Sequence, residues 1–503
     1  METIFSATMG ELASRAISFI VDRYLKQTAA PTEERLRRLR RLQRLLVRLH
    51  AVVEEADGRL ITNQAMLHQL SILRKEMYRG YYTLDVFSCR AHGEDGTKDH
   101  EVSKSFAPSE FNPAKRVRFW SGNNEVPAQA ELLEQVLSCV RDTVEDASEF
   151  VMFLCRCPRL HRQPYMMYLL LDKCMFGRQM EIEHIMNFLL QSETGPGVTD
   201  NRAVLPITGP GKVGKSTLIE HVCNDERVRN HFSQVWRFNG DDLKDASIET
   251  LRCGGGIKHQ HRGVGCGRTL IIIELLVDID EHVWKKLYSA ARSSTVSGSK
   301  IIIASRSDKV ASLGTTEPLR LQFCTQEAYW YFFKVRTFGS TSLEDHPKLA
   351  GMAMDMARMM NGCFMCASIF SGLLKANFEH RFWSMALATL RNMMQINLPL
   401  YGEHLSDPWR MAEPVYLRRA KETSCECFMM FGETCSADTP PEDLDMMSMQ
   451  DLLFGSVRPR GKFKVHAWTS HLSPHYNYIL HCEMLRPHRL VTRNKRVRIC
   501  SSS

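Results

Sequence analysis

The residues with the clearest chemistry are Gly209-Pro210-Gly211-Lys212-Val213-Gly214-Lys215-Ser216, a complete G-x-x-x-x-G-K-[ST] match. Glycines at 209, 211 and 214 let the backbone approach a phosphate chain closely. Successive amide hydrogens and the start of a following helix then face the anion. Lys215 is placed to reach the outer phosphates, and the Ser216 hydroxyl can ligate magnesium. Such a loop also needs an acid at the end of a neighbouring strand, to hold the metal or orient an attacking water. The run Leu270-Ile271-Ile272-Ile273-Glu274 supplies Glu274 as that candidate, followed by Leu275. Asp278 and Asp280 lie beyond it, so either they substitute from a loop or the metal site is weakened. Another buried-type run, Ser299 to Ser305, delivers Arg306 at its carboxyl end, where an open parallel sheet binds its ligand. Arg306 either senses a terminal phosphate or forms a surface ion pair.

These residues need a sheet beneath them. Val204 to Thr208 is a short apolar run leading straight into the glycine loop, so strand, turn and helix follow in order. Pro206 is discordant, because it removes a backbone donor from a strand expected to be central. Before this unit the chain reads as helices. Leu36, Leu39, Leu42, Leu46 and Leu49 fall at helical spacing after Pro31, Thr32, Glu33 and Glu34. Seven arginines between Arg35 and Arg48 occupy the other faces, as a solvated surface or as a site for an anionic partner or membrane surface. A second stripe runs from Met66 to Met77 and on to Phe87, and a third from Leu132 to Val144. Periodicity is lost over about 92–127, which reads as a loop. Ser192 to Asn201 separates a helix near Glu181 to Leu190 from the loop-bearing unit.

With 503 residues the chain has room for about three domains. A net charge of +8 is too dilute to imply nucleic acid. No apolar run reaches membrane-spanning length and no leader pattern opens the chain, so a soluble, cytoplasmic protein with its sixteen cysteines reduced is expected. The cysteine pairs at 155/157, 363/366 and 425/427 lack zinc spacing. His259 and His261 stand in a glycine-rich stretch that reads as a loop. Met352, Met356, Met359 and Met360 read as core filler. Beyond Leu400 the pattern yields only a possible strand from Lys462 to Trp468 and a basic tail, Arg486 to Arg498.

The phosphate loop continuing as Ser216-Thr217-Leu218, Phe176-Gly177-Arg178 ahead of it, Trp236, and Gly298-Ser299-Lys300 through Arg306 resemble the NB-ARC domain of plant resistance proteins. The helical N-terminal part resembles the Rx-type coiled-coil domain of the same receptors, and the likeness covers about residues 1–395. It implies an intracellular immune switch, with ADP held at rest, ATP when active, magnesium with the nucleotide, and signalling through the N-terminal bundle. Carried over by position, Phe176 and Arg178 would border the adenine. Gly209, Gly211, Val213, Gly214, Lys215, Ser216 and Thr217 would hold the phosphates, and Arg306 the terminal phosphate. Departures are specific. Glu274-Leu275 stands where the family has paired aspartates, and Gly362-Cys363-Phe364-Met365 where it has Gly-Leu-Pro-Leu. Lys75-Glu76-Met77-Tyr78-Arg79 replaces an acidic motif, and neither a Met-His-Asp motif nor leucine-rich repeats are found.

The expected architecture is mixed. A helical bundle (1–160) is followed by a P-loop α/β nucleotide-binding domain with a parallel sheet (173–340), a small helical domain (341–400) and an unassigned region (401–503). The expected function is an ADP/ATP switch or adaptor in plant defence with a degenerate hydrolysis site, whose bundle binds protein partners or itself. A slow ATPase using Glu274 is one rival, and a truncated decoy or helper with a relic site the other.

Overall fold

In the computed structural model the described residues are 33–91, 125–159, 175–191, 202–211, 213–239, 257–258, 267–275, 278–341, 343–401, 414–418, 427–436, 446–455, 459, 461–469 and 477–485. His259 and His261, with most of the glycine-rich stretch around them, and the basic tail lie outside them. Helices α1 (Glu33–Asp57), α2 (Gln64–Ala91) and α3 (Glu125–Leu154) form the N-terminal bundle. The leucine stripe explains it: Leu39, Leu42, Leu46 and Leu49 are all buried, facing Leu70, Met77, Val136 and Val140. Gly80 of α2 allows the close crossing, since a Cβ there would sit 2.5 Å from Leu46 Cδ2. Arg38 reaches from α1 to Glu134 of α3 at 3.3 Å.

After α4 (Gln179–Leu190) come β1 (Ala203–Thr208), α5 (Lys215–Cys223), α6 (Glu226–His231), β2 (Gln234–Asn239) and β3 (Ile257–Lys258). Then follow β4 (Thr269–Leu275), α7 (Glu281–Ser294), β5 (Lys300–Ser305), a 3-10 turn (Asp308–Leu313) and β6 (Leu319–Arg320). The sheet order is β3-β2-β4-β5-β1-β6, parallel except for β3. The isoleucine runs are buried on both faces. Leu270 and Ile272 of β4 pack toward α4 and α5, whereas Ile271, Ile273 and Leu275 pack toward α7 with Trp284 and Leu287. That alternation is the sheet period of two. Lys300 is buried at the start of β5, where its ammonium donates to the carbonyls of Phe188 and Gln191 at 2.6 and 2.9 Å and so closes the C-terminus of α4.

The structure resolves the discord at Pro206. Val204 and Thr208, two residues to either side, accept on the β6 side from the amides of Thr315 (3.0 Å) and Leu321 (2.8 Å). By the same alternation Pro206 turns its nitrogen toward residues 314–316, where pairing with β6 has not begun. No ladder bond is lost.

Helices α8 (Gln326–Phe338), α9 (Pro347–Met360), α10 (Phe364–Ala376) and α11 (His380–Tyr401) follow. Beyond them lies a second sheet of β7 (Val415–Arg418), β8 (Cys427–Ser436), β9 (Met447–Ser448), β10 (Lys462–Thr469) and β11 (Asn477–Leu485), in order β7-β8-β11-β10-β9. A short helix, α12 (Met449–Phe454), precedes β10. Helices and sheet share one core, in which Trp383, Met356, Met360 and Leu390 meet Phe428, Val465 and Leu480. Asn397 of α11 bonds both the carbonyl and the amide of Tyr416, at 2.7 and 2.8 Å, and so pins β7 to the helix. The bundle is seated on α8 by Asp85, whose carboxylate accepts from Trp330 Nε1 (2.8 Å) and Lys334 Nζ (2.7 Å).

The Pro206 arrangement has a testable cost. A Cβ on Gly314 would lie 2.2 Å from the rigid Pro206 ring and 3.1 Å from the Thr316 carbonyl. Gly314→Ala should destabilise by about 1–3 kcal/mol, read as a lower melting midpoint by circular dichroism; an unchanged midpoint would show that the strand can yield.

Candidate phosphate-binding site

The glycine loop leaves the carboxyl end of β1, and β5 separates β1 from β4. Strand ends therefore bring the loop, Arg306 and Glu274 to one sheet edge, as open parallel sheets do. Gly209 has φ 151°, and a Cβ there would collide with the Leu321 carbonyl at 2.4 Å. Gly214 has φ 97° and opens α5 with no side-chain cap. Only glycine takes both positions without strain. Gly211 and Val213 are buried within the turn, and Thr217 is half-buried one residue into the helix beyond Ser216.

Lys215 Nζ donates to the carbonyls of Gly209 and Pro210 at 2.7 and 2.8 Å, so its ammonium is folded back over the loop. Ser216 Oγ donates to Glu274 Oε2 at 2.5 Å. The acid on β4 thus reaches the hydroxyl that begins α5. A hydroxyl and a carboxylate side by side are hard oxygen donors, which suits magnesium held partly by phosphate. Asp278 and Asp280 are engaged elsewhere. Asp278 pairs with Lys309 at 2.8 Å, and its bonds to Lys309 and Ser307 hold it below the usual carboxylate range. Asp280 caps α7 by accepting from the His282 amide. Glu274 is therefore the acid that meets Ser216, and the loop aspartates do not replace it.

Leu275 turns to the opposite face. It is 5% exposed among Ile273, Trp284 and Val310, so the second position of the acidic pair is a core position here. Behind the loop, Glu220 of α5 pairs with Arg237 of β2 and anchors the helix to the sheet. Cys223, at the end of α5, is buried, and burial together with the Glu274 charge pushes its thiol up to about 12.

Arg178 and Phe176 flank the loop from outside. Arg178 is 6% exposed and donates to the carbonyls of Val213 (3.4 Å) and Gln322 (2.6 Å) and to Glu181 Oε1 (2.9 Å). The Phe176 ring packs against Tyr78, Tyr331 and Phe332. Arg306 follows β5 directly and is half-buried. Sequence reading missed Cys223, the Glu220–Arg237 pair and Gln322. Nothing local announces them, because each acquires its place from a strand or loop far along the chain.

A glycine loop of this kind on a parallel sheet defines a P-loop α/β domain. No protein-family model matches the chain. Its curated relatives are plant disease resistance proteins. Disease resistance protein RGA2 of Solanum bulbocastanum is 23% identical over 359 residues, 68% of this chain and 35% of that protein. The putative disease resistance protein RGA1 of the same species is 26% identical over 224 residues, 41% and 22% of the two chains. The putative disease resistance RPP13-like protein 1 of Arabidopsis thaliana is 23% identical over 378 residues, 70% and 34%. The matched regions thus span about a third or less of those relatives. Among solved structures, domain III of the Thermotoga maritima replication initiation protein DnaA overlaps 42% of this chain and 89% of its own, at 14% identity and a TM-score of 0.26. The fold assignment rests on the strand order and loop described above.

Two outcomes follow from the site. Cys223 should resist alkylation in the folded protein at neutral pH, since it is buried and un-ionised there; modification as fast as an exposed thiol would contradict its placement. Leu275→Asp should destabilise by about 3–5 kcal/mol, because it leaves an unpaired charge in the core. A variant that melts with the wild type would show the strand end to be open.

Proposed function

We propose that this chain is a nucleotide-bound switch or adaptor of plant defence, holding ADP or ATP with magnesium at the loop and signalling through its N-terminal bundle. The observation that carries it is the Ser216–Glu274 contact at 2.5 Å beside a folded-back Lys215, groups that would hold phosphate and metal together. Gly211, Val213, Gly214 and Thr217 would line the phosphates, Arg306 would meet the terminal one, and the bundle would bind partners or itself. The kinship with resistance proteins supports the setting, and a cytoplasmic place accords with it. Among the described residues no helix is long and apolar enough to cross a membrane.

The same contact favours a second reading, a slow ATPase with Glu274 as its acid. Hydrolysis needs more than binding does, namely a water held in line and a carboxylate placed for it. Glu274 is engaged with Ser216, and Leu275 offers no carboxylate. The expectation is binding with little turnover.

Lys215→Ala should weaken ATP binding at least about tenfold, or ~1.4 kcal/mol, and unchanged affinity in calorimetry would sink the site. Glu274→Gln should weaken binding in magnesium and leave magnesium-free binding near wild type. Arg306→Ala should reduce ATP affinity and spare ADP; equal loss of both would return Arg306 to the surface. A wild-type turnover above roughly one per second, the range of dedicated enzymes, would overturn the switch in favour of the ATPase.

A further inference from the structure

Residues 176–178 touch two things that must move together if the switch reading holds. On one side, Arg178 holds the Val213 carbonyl. A trans peptide points its N–H opposite to its C=O, so fixing the Val213 oxygen also fixes the direction of the Gly214 amide, one of the loop donors. The same guanidinium grips the Gln322 carbonyl, four residues before α8 begins, and Glu181 completes its bonding. On the other side, the Phe176 ring lies 5.5 Å from Tyr78 of α2, and 6.4 and 5.4 Å from Tyr331 and Phe332 of α8. Gly177, at φ 68°, makes the turn between these two neighbours.

The contacts around Phe176 are the seat of the bundle. Tyr78 and Tyr331 are 4.8 Å apart, and Lys334 lies over the Tyr81 and Tyr331 rings while its ammonium meets Asp85. Phe176 to Arg178 is a short covalent connection between this seat and the phosphate loop.

We propose that Arg178 is a positioning residue for the phosphate loop, and that Phe176-Gly177-Arg178 couples the loop's nucleotide state to the seating of the N-terminal bundle on α8. The proposal rests on the switch reading and specifies how the site is regulated. Phosphate drawing the Gly214 amide inward sets the Val213 oxygen against Arg178. Arg178 in turn sets Gln322 and, two residues back, Phe176. Linkage is reciprocal, so loosening the seat must change nucleotide affinity by the factor with which nucleotide changes the seat.

Amide hydrogen exchange of the full chain, with and without ADP or magnesium-ATP, tests this. Nucleotide should alter exchange at the loop and also at residues 78–85 of α2 and 326–338 of α8. In Arg178→Met the loop should still respond to saturating nucleotide while the distant response is lost, and affinity should fall by about fivefold or more. Lys334→Met, which loosens the seat without touching the loop, should change affinity by a matching factor; it decides the question alone if Arg178→Met does not fold. Bound nucleotide that protects the loop and leaves α2 and α8 unchanged overturns the coupling while the nucleotide site stands. Absence of any nucleotide binding overturns both.

Discussion

Burial of β4, β5 and β1 on both faces is the constraint from which the site follows. A strand enclosed by helices above and below is apolar through its middle, because an unpaired polar side chain there costs more than the strand gains, and the buried polar residues Lys300, Ser305 and Thr208 stand at strand ends. Polar side chains therefore gather at the strand ends. Glu274 and Arg306 stand at that edge, and the glycine loop leaves β1 there. Since parallel ladders hold Glu274 beside Ala304, and Thr208 beside Ser305, the three groups are delivered to one edge by register alone. The Ser216–Glu274 bond is the visible result.

The same alternation sends Glu274 and Leu275 to opposite faces of the sheet. Glu274 faces α5 and the loop, so its carboxylate is useful there. Leu275, one residue on, faces α7 and completes an apolar layer. A carboxylate at 275 would have to leave that layer or lose its hydration within it, and neither is compatible with the packing of Trp284 and Val310. The chain has thus spent on its core the position that would complete an acidic pair. Under the proposed reading, the site keeps the groups that would hold a phosphate chain and a metal.

Much of the fold was legible where one pattern dominates locally. The leucine stripe of α1, the isoleucine runs of β4 and β5 and the entry into the loop each emerge at the positions expected from periodicity. Lys462 to Trp468 also proves to be a strand, though its sheet could not be foreseen. That sheet takes its five strands from β7 to β11 across long separations, and its inner face is completed by α11, so no single stretch carries the pattern. Pro206 misled because the rule for proline in a central strand assumes partners along its whole length; β6 pairs only at Ile207 and Thr208. Of the site, the loop and Glu274 could be read from spacing. The contacts of Arg178 with Val213 and Gln322 could not, since they join residues 35 and 144 positions away.

The seat of the bundle on α8 shows why a buried polar contact can be kept without being a strong one. Asp85 is 9% exposed and must give up most of its hydration to meet Trp330 and Lys334. The Coulombic gain of such a pair is largely offset by desolvation of both partners, so its net contribution to stability is small. Removing one partner is nevertheless costly, because the other is left buried and uncompensated. The contact therefore fixes one register between α2 and α8 and penalises its neighbours, while the aromatic rings of Tyr78, Tyr81 and Tyr331 supply apolar area that tolerates sliding. A joint of this composition is precise when closed; opening it restores water to both charges but exposes the buried rings of Tyr78, Tyr82 and Tyr331. The polar contact thus sets the register of α2 against α8, and the rings set the cost of opening it.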